Sequence, residues 1–332
     1  MTKTAPAQTR GSGTEDQPDW IEPELATLTH ERFSDPAWLF ERKLDGERCL
    51  AFCQGPRIRL VTRNKNEVGA NYPEIVEALD EQHGEDFVVD GEIVAFEGAQ
   101  TSFALLQQRI QVARPAPELV RRVPVSYYLF DVMYAGGRDV RGLPLRERKR
   151  LLAGLLPFRD PLRLTEHRDR DGEAYWAEAC SKGWEGVIAK RGDAPYRPGR
   201  SRDWLKFKCE TSQEFVIGGY TDPQRSRVGF GALLLGYYDA DGRLTYAGKV
   251  GTGFDQHTLR SLRAELAHLE QDRPPFERGE LPRSGVHWVE PRMVAQVAFT
   301  EWTQDGQLRH PRFRGLRRDK PASDVVREVA AT

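Results

Sequence analysis

The feature that most constrains the fold of this chain is a change of pattern over residues 209–213. Before it, apolar strands alternate with amphipathic helices such as 146–156 and 173–182. After it, short apolar strands follow one another across Gly- and Asp-rich turns, and one helix over 257–269 interrupts them. Five short strands around one helix are typical of a small β-barrel such as an OB-fold. The change therefore predicts two domains in the 332 residues.

The predicted organisation is a disordered tail over residues 1–19, a first domain over 20–210 and a second domain over 211–332. The tail is aperiodic and rich in small polar residues. In the first domain we predict two strands over 38–53 joined by a turn at Asp45-Gly46, further strands at 57–62, 87–96, 125–134, 186–190 and 204–208, and helices at 73–83, 102–112, 146–156 and 173–182. In the second domain we predict strands at 215–220, 232–238, 244–250, 287–289 and 294–303.

Composition excludes several classes of protein. No apolar run approaches the roughly 18–20 residues that cross a bilayer, and residues 1–19 lack the apolar core of a secretory signal, so we expect no membrane association. The four cysteines, Cys49, Cys53, Cys180 and Cys209, show no CxxC spacing. We therefore expect neither a zinc ribbon nor a disulfide framework, and we place the protein in a cytoplasm with reduced thiols.

Charge is balanced overall but unevenly distributed. The formal net charge is −1, yet residues 190–208 hold seven Lys and Arg against two Asp, and residues 309–320 hold six against one. Such basic stripes can bind phosphates on one face of a near-neutral protein. On charge alone, a pair of solvated charged faces is the simpler interpretation.

The sharpest chemical signal is residues 41–48 (ERKLDGER), where a strand ends at Lys43, turns through Asp-Gly and returns with Arg48. By itself this pattern fits a plain β-hairpin with surface charges. The pattern becomes more specific because further segments follow it along the chain in a fixed order. They are 90–92 (DGE), 128–131 (YLFD), 185–190 (EGVIAK), 204–208 (WLKFK) and 316–320 (LRRDK).

This ordered set resembles the covalent nucleotidyltransferase superfamily of ATP-dependent DNA ligases, RNA ligases and mRNA-capping guanylyltransferases. Within it, the sequence is most similar to the ligase module of bacterial end-joining ligases (ligase D), through residues 20–23 (WIEP), 196–201 (YRPGRS) and 310–317 (HPRFRGLR). The resemblance implies an α+β fold. A nucleotidyltransferase (adenylation) domain of antiparallel sheets and helices would be followed by an OB-fold β-barrel domain.

The resemblance implies that Lys43 is the catalytic nucleophile, which attacks the α-phosphorus of ATP to form lysyl-AMP and release pyrophosphate. A free lysine has a pKa of about 10.4, so its amine must be desolvated or placed beside cations to react uncharged. Lys206 and Lys208 alternate onto one face of their strand, with Leu205 and Phe207 on the other. Those two lysines and bound Mg²⁺ would supply the cations.

The remaining nucleotide contacts are also implied by the resemblance. Glu92 would contact the ribose or a metal and Glu185 a metal, which would be Mg²⁺ with Mn²⁺ as the alternative, because hard cations prefer carboxylate oxygens. Phe130 would stack on the adenine. The other cofactor-binding residues are Glu41 near the adenine amino group, Arg48, Arg63, Lys190, Lys206 and Lys208. A purely structural role stays open for Phe130 as core and for Glu92 and Arg63 as surface charges.

In the second domain, Arg317, Asp319 and Lys320 fit the family's final motif, whose implied role is to orient the leaving pyrophosphate when this domain closes. With Lys43, Lys206 and Lys208 they complete the expected catalytic set. The neighbouring basic residues that would follow a DNA backbone are Arg309, Arg312 and Arg314. The alternative for these three is a basic, poorly ordered C-terminal segment.

The function implied by the resemblance is that of an ATP-dependent DNA ligase in end-joining repair. It would seal 3′-OH/5′-phosphate breaks in nicked or broken duplex DNA through lysyl-AMP and AMP-DNA, as a monomer with Ku and separate polymerase or nuclease proteins as partners. An RNA ligase or a capping-type guanylyltransferase remains the alternative. An NAD-dependent ligase is disfavoured because a four-cysteine zinc site is missing. A non-catalytic OB-fold module would be expected to lack Lys43 or Glu185.

Overall fold

The structure is a computed structural model and describes residues 15–82, 84–110, 112–223 and 227–329. Most of the predicted disordered tail lies outside these ranges. Residues 15–19 are held against the first domain, since the Gln17 side-chain amide donates hydrogen bonds to the carbonyls of Cys53 (3.0 Å) and Phe87 (2.8 Å). Among the described residues, no helix is long and apolar enough to cross a membrane.

The strands and helices of the described residues follow in chain order. The strands are β1 (Glu24–Leu28), β2 (Trp38–Lys43), β3 (Glu47–Gln54), β4 (Arg57–Thr62), β5 (Phe87–Glu97), β6 (Gln100–Thr101), β7 (Val125–Ala135), β8 (Arg138–Asp139), β9 (Leu162–Leu164), β10 (His167–Asp169), β11 (Gly186–Arg191), β12 (Gly199–Lys208), β13 (Ser212–Thr221), β14 (Leu233–Tyr238), β15 (Leu244–Val250), β16 (Glu270–Gln271), β17 (Val286–Ala298), β18 (Glu301–Trp302), β19 (Leu308–Arg309) and β20 (Arg312–Leu316). The helices are α1 (Pro73–Gln82), α2 (Phe103–Leu106), α3 (Pro117–Arg122), α4 (Leu145–Leu155), α5 (Gly172–Ser181) and α6 (Gln256–Ala267).

Two mostly antiparallel sheets form the part of the chain before residue 209. One has the order β1-β12-β11-β2-β10, and the other has the order β4-β3-β5-β7-β8 with β6 and β9 at its sides. Strand β3 lies between two layers of apolar side chains, because its residues 49–53 are buried on both faces. Cys49 and Ala51 join the main core, whereas Leu50 and Phe52 join a second cluster with Phe130. Burial on both faces accounts for the unbroken apolar run.

The turn between β2 and β3 brings Lys43 to the gap between these two sheets. Gly46 lies so close to β5 that an added Cβ would be 2.2 Å from the Ile93 carbonyl oxygen. Only glycine therefore fits at this position of the turn. Lys43 ends β2 in the first sheet, and the chain crosses at once to β3 in the second sheet.

The second part of the chain is built on an antiparallel sheet of order β15-β14-β13-β17-β16, with β20 also paired to β17. Helix α6 covers one face through Leu259, Leu262 and Leu266, which lie in the same core as Phe215. Leucines spaced by three and four residues place all three on one side of the helix. This arrangement buries one face of the sheet and leaves its β17–β20 edge near the first domain.

Two strand predictions and one helix prediction need correction. The strands predicted at 287–289 and 294–303 are largely one strand, β17. Its pairing with β13 is interrupted at residues 289–292, which have no register partner there, and Pro291 lies in this interruption. A bulge of this kind tolerates a residue without an N–H group. The helix predicted over 102–112 is only α2, and turns follow it.

The expectation of four reduced cysteines is also wrong in the structure. Cys180 at the end of α5 and Cys209 just after β12 form a disulfide, with their Cα atoms 5.2 Å apart. The 29-residue separation hides this contact in the sequence, since only the packing of α5 beside β12 creates it. Cys49 and Cys53 remain free and buried in β3.

Candidate active site

A charged cleft lies between the two sheets of the first domain and the β17–β20 edge of the second. It contains two adjoining cavities of about 190 and 250 Å³. The residues that line both cavities include Lys43, Arg48, Arg63, Glu92, Lys206 and Lys320. The smaller cavity also takes in Glu185, Arg317 and Asp319, and the larger one extends to Phe130 and Lys190. The structure thus brings most of the predicted site residues to one place.

Lys43 forms an ion pair inside this cleft. Its Nζ lies 2.5 Å from the Glu185 carboxylate, and each side chain is about one-fifth exposed. The pairing of β2 with β11 sets this contact, because Gly186 is the register partner of Lys43. Burial alone would lower the pKa of Lys43, but Glu185, together with Asp45 and Glu92, raises it above its ordinary value. The amine is therefore charged in this arrangement, and the expected effect of Lys206, Lys208 and bound Mg²⁺ on it remains a prediction.

The carboxylates around Lys43 are crowded. Burial raises the pKa of Glu92 to about 7 although Arg48 and Lys43 oppose the shift, and burial with the nearby charge of Glu185 raises the pKa of Asp45 to about 6. No ready-made cluster of three metal-ligating side chains exists in the described ranges. Glu92 and Glu185 nevertheless fit a Mg²⁺ ion, since Mg²⁺ usually takes one or two carboxylates and completes its shell with water and phosphate. A divalent cation would also relieve the cost of burying Glu92 ionised.

Lys206 and Lys208 reach the cleft from the same face of β12, as their alternation predicts. Both hold one carboxylate, that of Glu328, with Nζ–O distances of 2.7 Å and 3.0 Å. Burial lowers the pKa of Lys206 to about 8 despite this partner. Burial would raise the pKa of Glu328, but Lys208 and Lys206 lower it to about 2, so that its carboxylate is ionised at neutral pH.

The larger cavity ends in an aromatic and cationic wall. Phe130 is 7% exposed, and the Lys190 Nζ lies 4.1 Å from its ring centroid and 3.9 Å from that of Trp204. Lys190 also pairs with Glu41 at 2.8 Å, and the second Glu41 oxygen meets Lys149. Glu41 thus lies between two buried ammonium groups, and burial lowers the pKa of Lys190 to about 8.

Arg48 is fixed between an acid and a ring. Its guanidinium binds both oxygens of the buried Asp90 at 2.5 Å and lies 4.4 Å from the Phe130 ring centroid. The Tyr196 hydroxyl donates a further hydrogen bond of 2.6 Å to Asp90. Bidentate pairing holds the arginine rigidly at the cavity wall. Arg63 lines both cavities beside it.

The motif at the end of the chain reaches the smaller cavity from the second domain. Arg317 donates two hydrogen bonds to Asp319, of 2.9 and 2.7 Å, and its guanidinium lies over the Phe103 ring of the first domain. Lys320 pairs with Glu214 at 3.2 Å. These contacts bring the three predicted residues Arg317, Asp319 and Lys320 into the same cleft as Lys43.

The arginines predicted to contact DNA lie outside both cavities. Arg309 pairs with Glu301 at 2.6 Å, and Arg314 pairs with Glu210. Arg312 and Arg314 are exposed while Phe313 between them is buried, as the alternation of β20 requires. Arg314 borders a neighbouring groove that reaches Glu185, so this surface is continuous with the cleft.

Two family profiles match this chain. Residues 24–208 match the profile described as "ATP dependent DNA ligase domain", and residues 226–320 match "ATP dependent DNA ligase C terminal region". The chain belongs to the ATP-dependent DNA ligase family. The predicted family membership is therefore confirmed.

Individual relatives agree with this assignment. The chain is 39% identical over 329 residues to the "Multifunctional non-homologous end joining protein LigD" of Pseudomonas aeruginosa, and 38% identical over 298 residues to the protein LigD of Mycobacterium tuberculosis. These alignments cover 97% and 88% of this chain but 38% and 37% of the relatives, so this ligase-family chain spans about two fifths of their length.

A solved structure supports the fold. The "mycobacterial DNA ligase D complexed with ATP and MES" is 36% identical to this ligase-family chain, with a TM-score of 0.66 and coverage of 93% of this chain and 98% of that one. The predicted fold class, a nucleotidyltransferase domain followed by an OB-fold domain, is thereby confirmed. The roles of the individual site residues remain predictions.

Glu214 and Glu328 line both cavities but are not among the predicted site residues. Glu214 is half-buried near the start of β13 and pairs with Lys320, but it follows the polar residues 210–213, so its sequence context does not single it out. Glu328 lies beyond the last recognisable motif, and no pattern in the sequence singles it out.

Proposed function

We propose that this chain is an enzyme that seals 3′-OH/5′-phosphate breaks in duplex DNA at the expense of ATP. The observation that carries the proposal is the position of Lys43 at the centre of a cleft lined by cations from both domains. Family membership supplies ATP as the cofactor class. A triphosphate is the ligand that such a cluster of ammonium and guanidinium groups suits best.

In the first step, the Lys43 Nζ would attack the α-phosphorus of ATP, so that an N–P bond forms and the bond to pyrophosphate breaks. The amine must first release to solvent the proton that its ion pair with Glu185 retains. Lys206 and Lys208 would hold the α-phosphate, and Arg317 would hold the pyrophosphate from the second domain. Glu92 and Glu185 would hold Mg²⁺, which would neutralise phosphate charge and weaken the attraction of Glu185 for the charged form of Lys43.

In the later steps, an oxygen of the DNA 5′-phosphate would attack the lysyl-AMP phosphorus, and the N–P bond would break. The 3′-OH would then attack the activated 5′-phosphate and release AMP. Arg317 and Lys320 occupy the cleft that the DNA end must enter, so the second domain has to move away after the first step. Arg312 and Arg314 would then contact the DNA backbone.

Nick sealing with defined substrates tests the proposal. The full chain with Mg²⁺ should seal a nicked DNA duplex with ATP, and it should not accept GTP or NAD⁺ in its place. A nick in a duplex with RNA strands, tested in parallel, separates a DNA ligase from an RNA ligase. Label transfer from GTP instead of ATP would favour a capping-type guanylyltransferase and refute the proposal.

The biological setting is proposed from the relatives. Their printed names assign them to non-homologous end joining, which supports a role in bacterial double-strand break repair with Ku and separate polymerase or nuclease proteins. The same relatives are bacterial, which supports a cytoplasmic location for a monomeric enzyme.

A further inference from the structure

A carboxylate fills the place between two lysines that the proposed function reserves for a phosphate. Glu328 contacts Lys206 at 2.7 Å and Lys208 at 3.0 Å, and the three side chains are between 9% and 19% exposed. Glu328 lines both cavities of the cleft. An ATP phosphate bound to the same two ammonium groups would have to take the place of this carboxylate.

The segment that carries Glu328 is anchored to the second domain just before it. Val325 is fully buried in the second core cluster of that domain, and its carbonyl accepts a hydrogen bond of 2.8 Å from the Tyr238 amide. Beyond that point most residues are exposed, with Val326 53% exposed, whereas Glu328 is half-buried. The side chain of Gln213 holds this exposed part, because it donates to the Val326 carbonyl (3.1 Å) and accepts from the Glu328 amide (2.9 Å).

Residues 325–329 are held in place by different interactions at their two ends. The Val325 end is secured by apolar burial, which displacement of one side chain would not disturb. The Glu328 end is secured by one ion-pair cluster, by hydrogen bonds to Gln213 and by Arg327, whose guanidinium lies 4.2 Å from the Trp302 ring centroid. An incoming anion can replace the carboxylate without exposing the core. The segment can therefore open at residues 326–329 while its anchor remains in place.

We propose that residues 326–329 form a strap across the nucleotide cavity, and that ATP binds by displacing the Glu328 carboxylate from Lys206 and Lys208. This inference rests on the proposed function, since it takes ATP as the ligand of the cleft. In the protein without nucleotide, the carboxylate keeps two buried ammonium groups from facing each other without a counter-ion. In the presence of ATP, the Glu328 carboxylate competes with the nucleotide phosphate for Lys206 and Lys208. This competition raises the concentration of ATP that is needed to fill the site.

The test is the binding of α,β-methylene-ATP, which cannot transfer AMP, to the full chain and to Glu328→Gln by calorimetry. Glutamine keeps the size of the side chain but removes its charge. We expect the apparent dissociation constant of Glu328→Gln to be about tenfold lower than that of the unaltered chain. This factor applies if the strap is displaced in about one tenth of the unaltered protein, because only that fraction can bind the analogue. Glu290→Gln is the matched control, because it removes a glutamate from an exposed ion pair with Arg292 away from the cavities, and it should bind as the unaltered chain does.

A second measurement uses the unaltered chain alone. Hydrogen exchange at the amides of residues 326–329 should speed up when the analogue saturates the protein, whereas exchange at Val325 should not. Equal or weaker binding by Glu328→Gln, or slower exchange over 326–329, would overturn the strap while leaving the proposed function intact. Failure of both proteins to bind the analogue would overturn the strap and the proposed function together.

Discussion

Replacing Glu185 with glutamine should make Lys43 a more reactive amine in the absence of nucleotide and metal. The 2.5 Å ion pair is the main feature that favours the charged form of Lys43, and it opposes the effect of burial. Glutamine can still accept a hydrogen bond from the amine but carries no charge. The pKa of Lys43 should therefore fall in Glu185→Gln, and a larger fraction of the amine should be uncharged near neutral pH.

The size of this effect follows from the geometry of the pair. A hydrogen bond to a charged group contributes about 1.5–3 kcal/mol, and about 1.4 kcal/mol corresponds to a factor of ten. Both side chains are about one-fifth exposed, so solvent screens part of the interaction and the lower end applies. We expect the uncharged fraction of Lys43 to rise about tenfold well below its pKa.

Labelling with an amine-reactive ester, followed by mass spectrometry of the peptide that contains Lys43, measures that fraction. The matched control is Glu178→Gln, which breaks the exposed pair of Glu178 with Lys182, also 2.5 Å long. Exposed pairs on helices contribute about 0.3–0.5 kcal/mol, so labelling of Lys182 should change by about twofold at most.

The pH dependence separates ionisation from access. In strongly alkaline solution the amine is uncharged in both proteins, and Lys43 should then label at the same rate in each. If Lys43 labels no faster in Glu185→Gln near neutral pH, Glu185 does not control its protonation. If the difference persists at high pH, the substitution has opened the cleft instead, and the electrostatic argument is refuted.

Three further predictions concern catalysis, DNA binding and stability. Lys43→Ala should fail on an ordinary nick with ATP yet seal a nick that already carries 5′-linked AMP, because only the first step needs the amine; loss of both activities in a folded variant would show a wider role. Replacing Arg312 and Arg314 with glutamine should flatten the slope of log K against log[salt] for nicked DNA by about one unit per contact, whereas an unchanged slope would place them off the DNA. Asp131→Asn should lower the free energy of unfolding in urea by about 3–5 kcal/mol, since it removes the negative charge that balances the fully buried Arg148 guanidinium 2.7 Å away, and a loss below about 1 kcal/mol would contradict this.

Local chemistry predicted the Asp-Gly turn well, although the strands on either side of it, β2 and β3, lie in different sheets instead of pairing as a hairpin. The Asp45-Gly46 turn and the alternation of Lys206 with Phe207 depend only on residues close in sequence, and both occur in the structure. The placement of Phe130 in the cavity wall could be expected only from the resemblance, because a phenylalanine in an apolar strand is otherwise core.

The features that the sequence did not reveal depend on contacts between distant segments. The Cys180–Cys209 disulfide, the Lys43–Glu185 ion pair and the Glu328 contacts each join segments that only the tertiary fold brings together. Pro291 lies between the strands predicted at 287–289 and 294–303, and a bulge opposite β13 accommodates it within one strand.

The most direct test of the central claim, that Lys43 carries AMP during the reaction, is the intact mass of the full chain after incubation with ATP and Mg²⁺. We predict an added mass of one AMP, located by peptide mapping on Lys43, which disappears when nicked DNA is supplied. Lys43→Ala, shown to be folded by circular dichroism, should acquire no adduct. An adduct on another residue, or one that forms equally on Lys43→Ala, would contradict the claim.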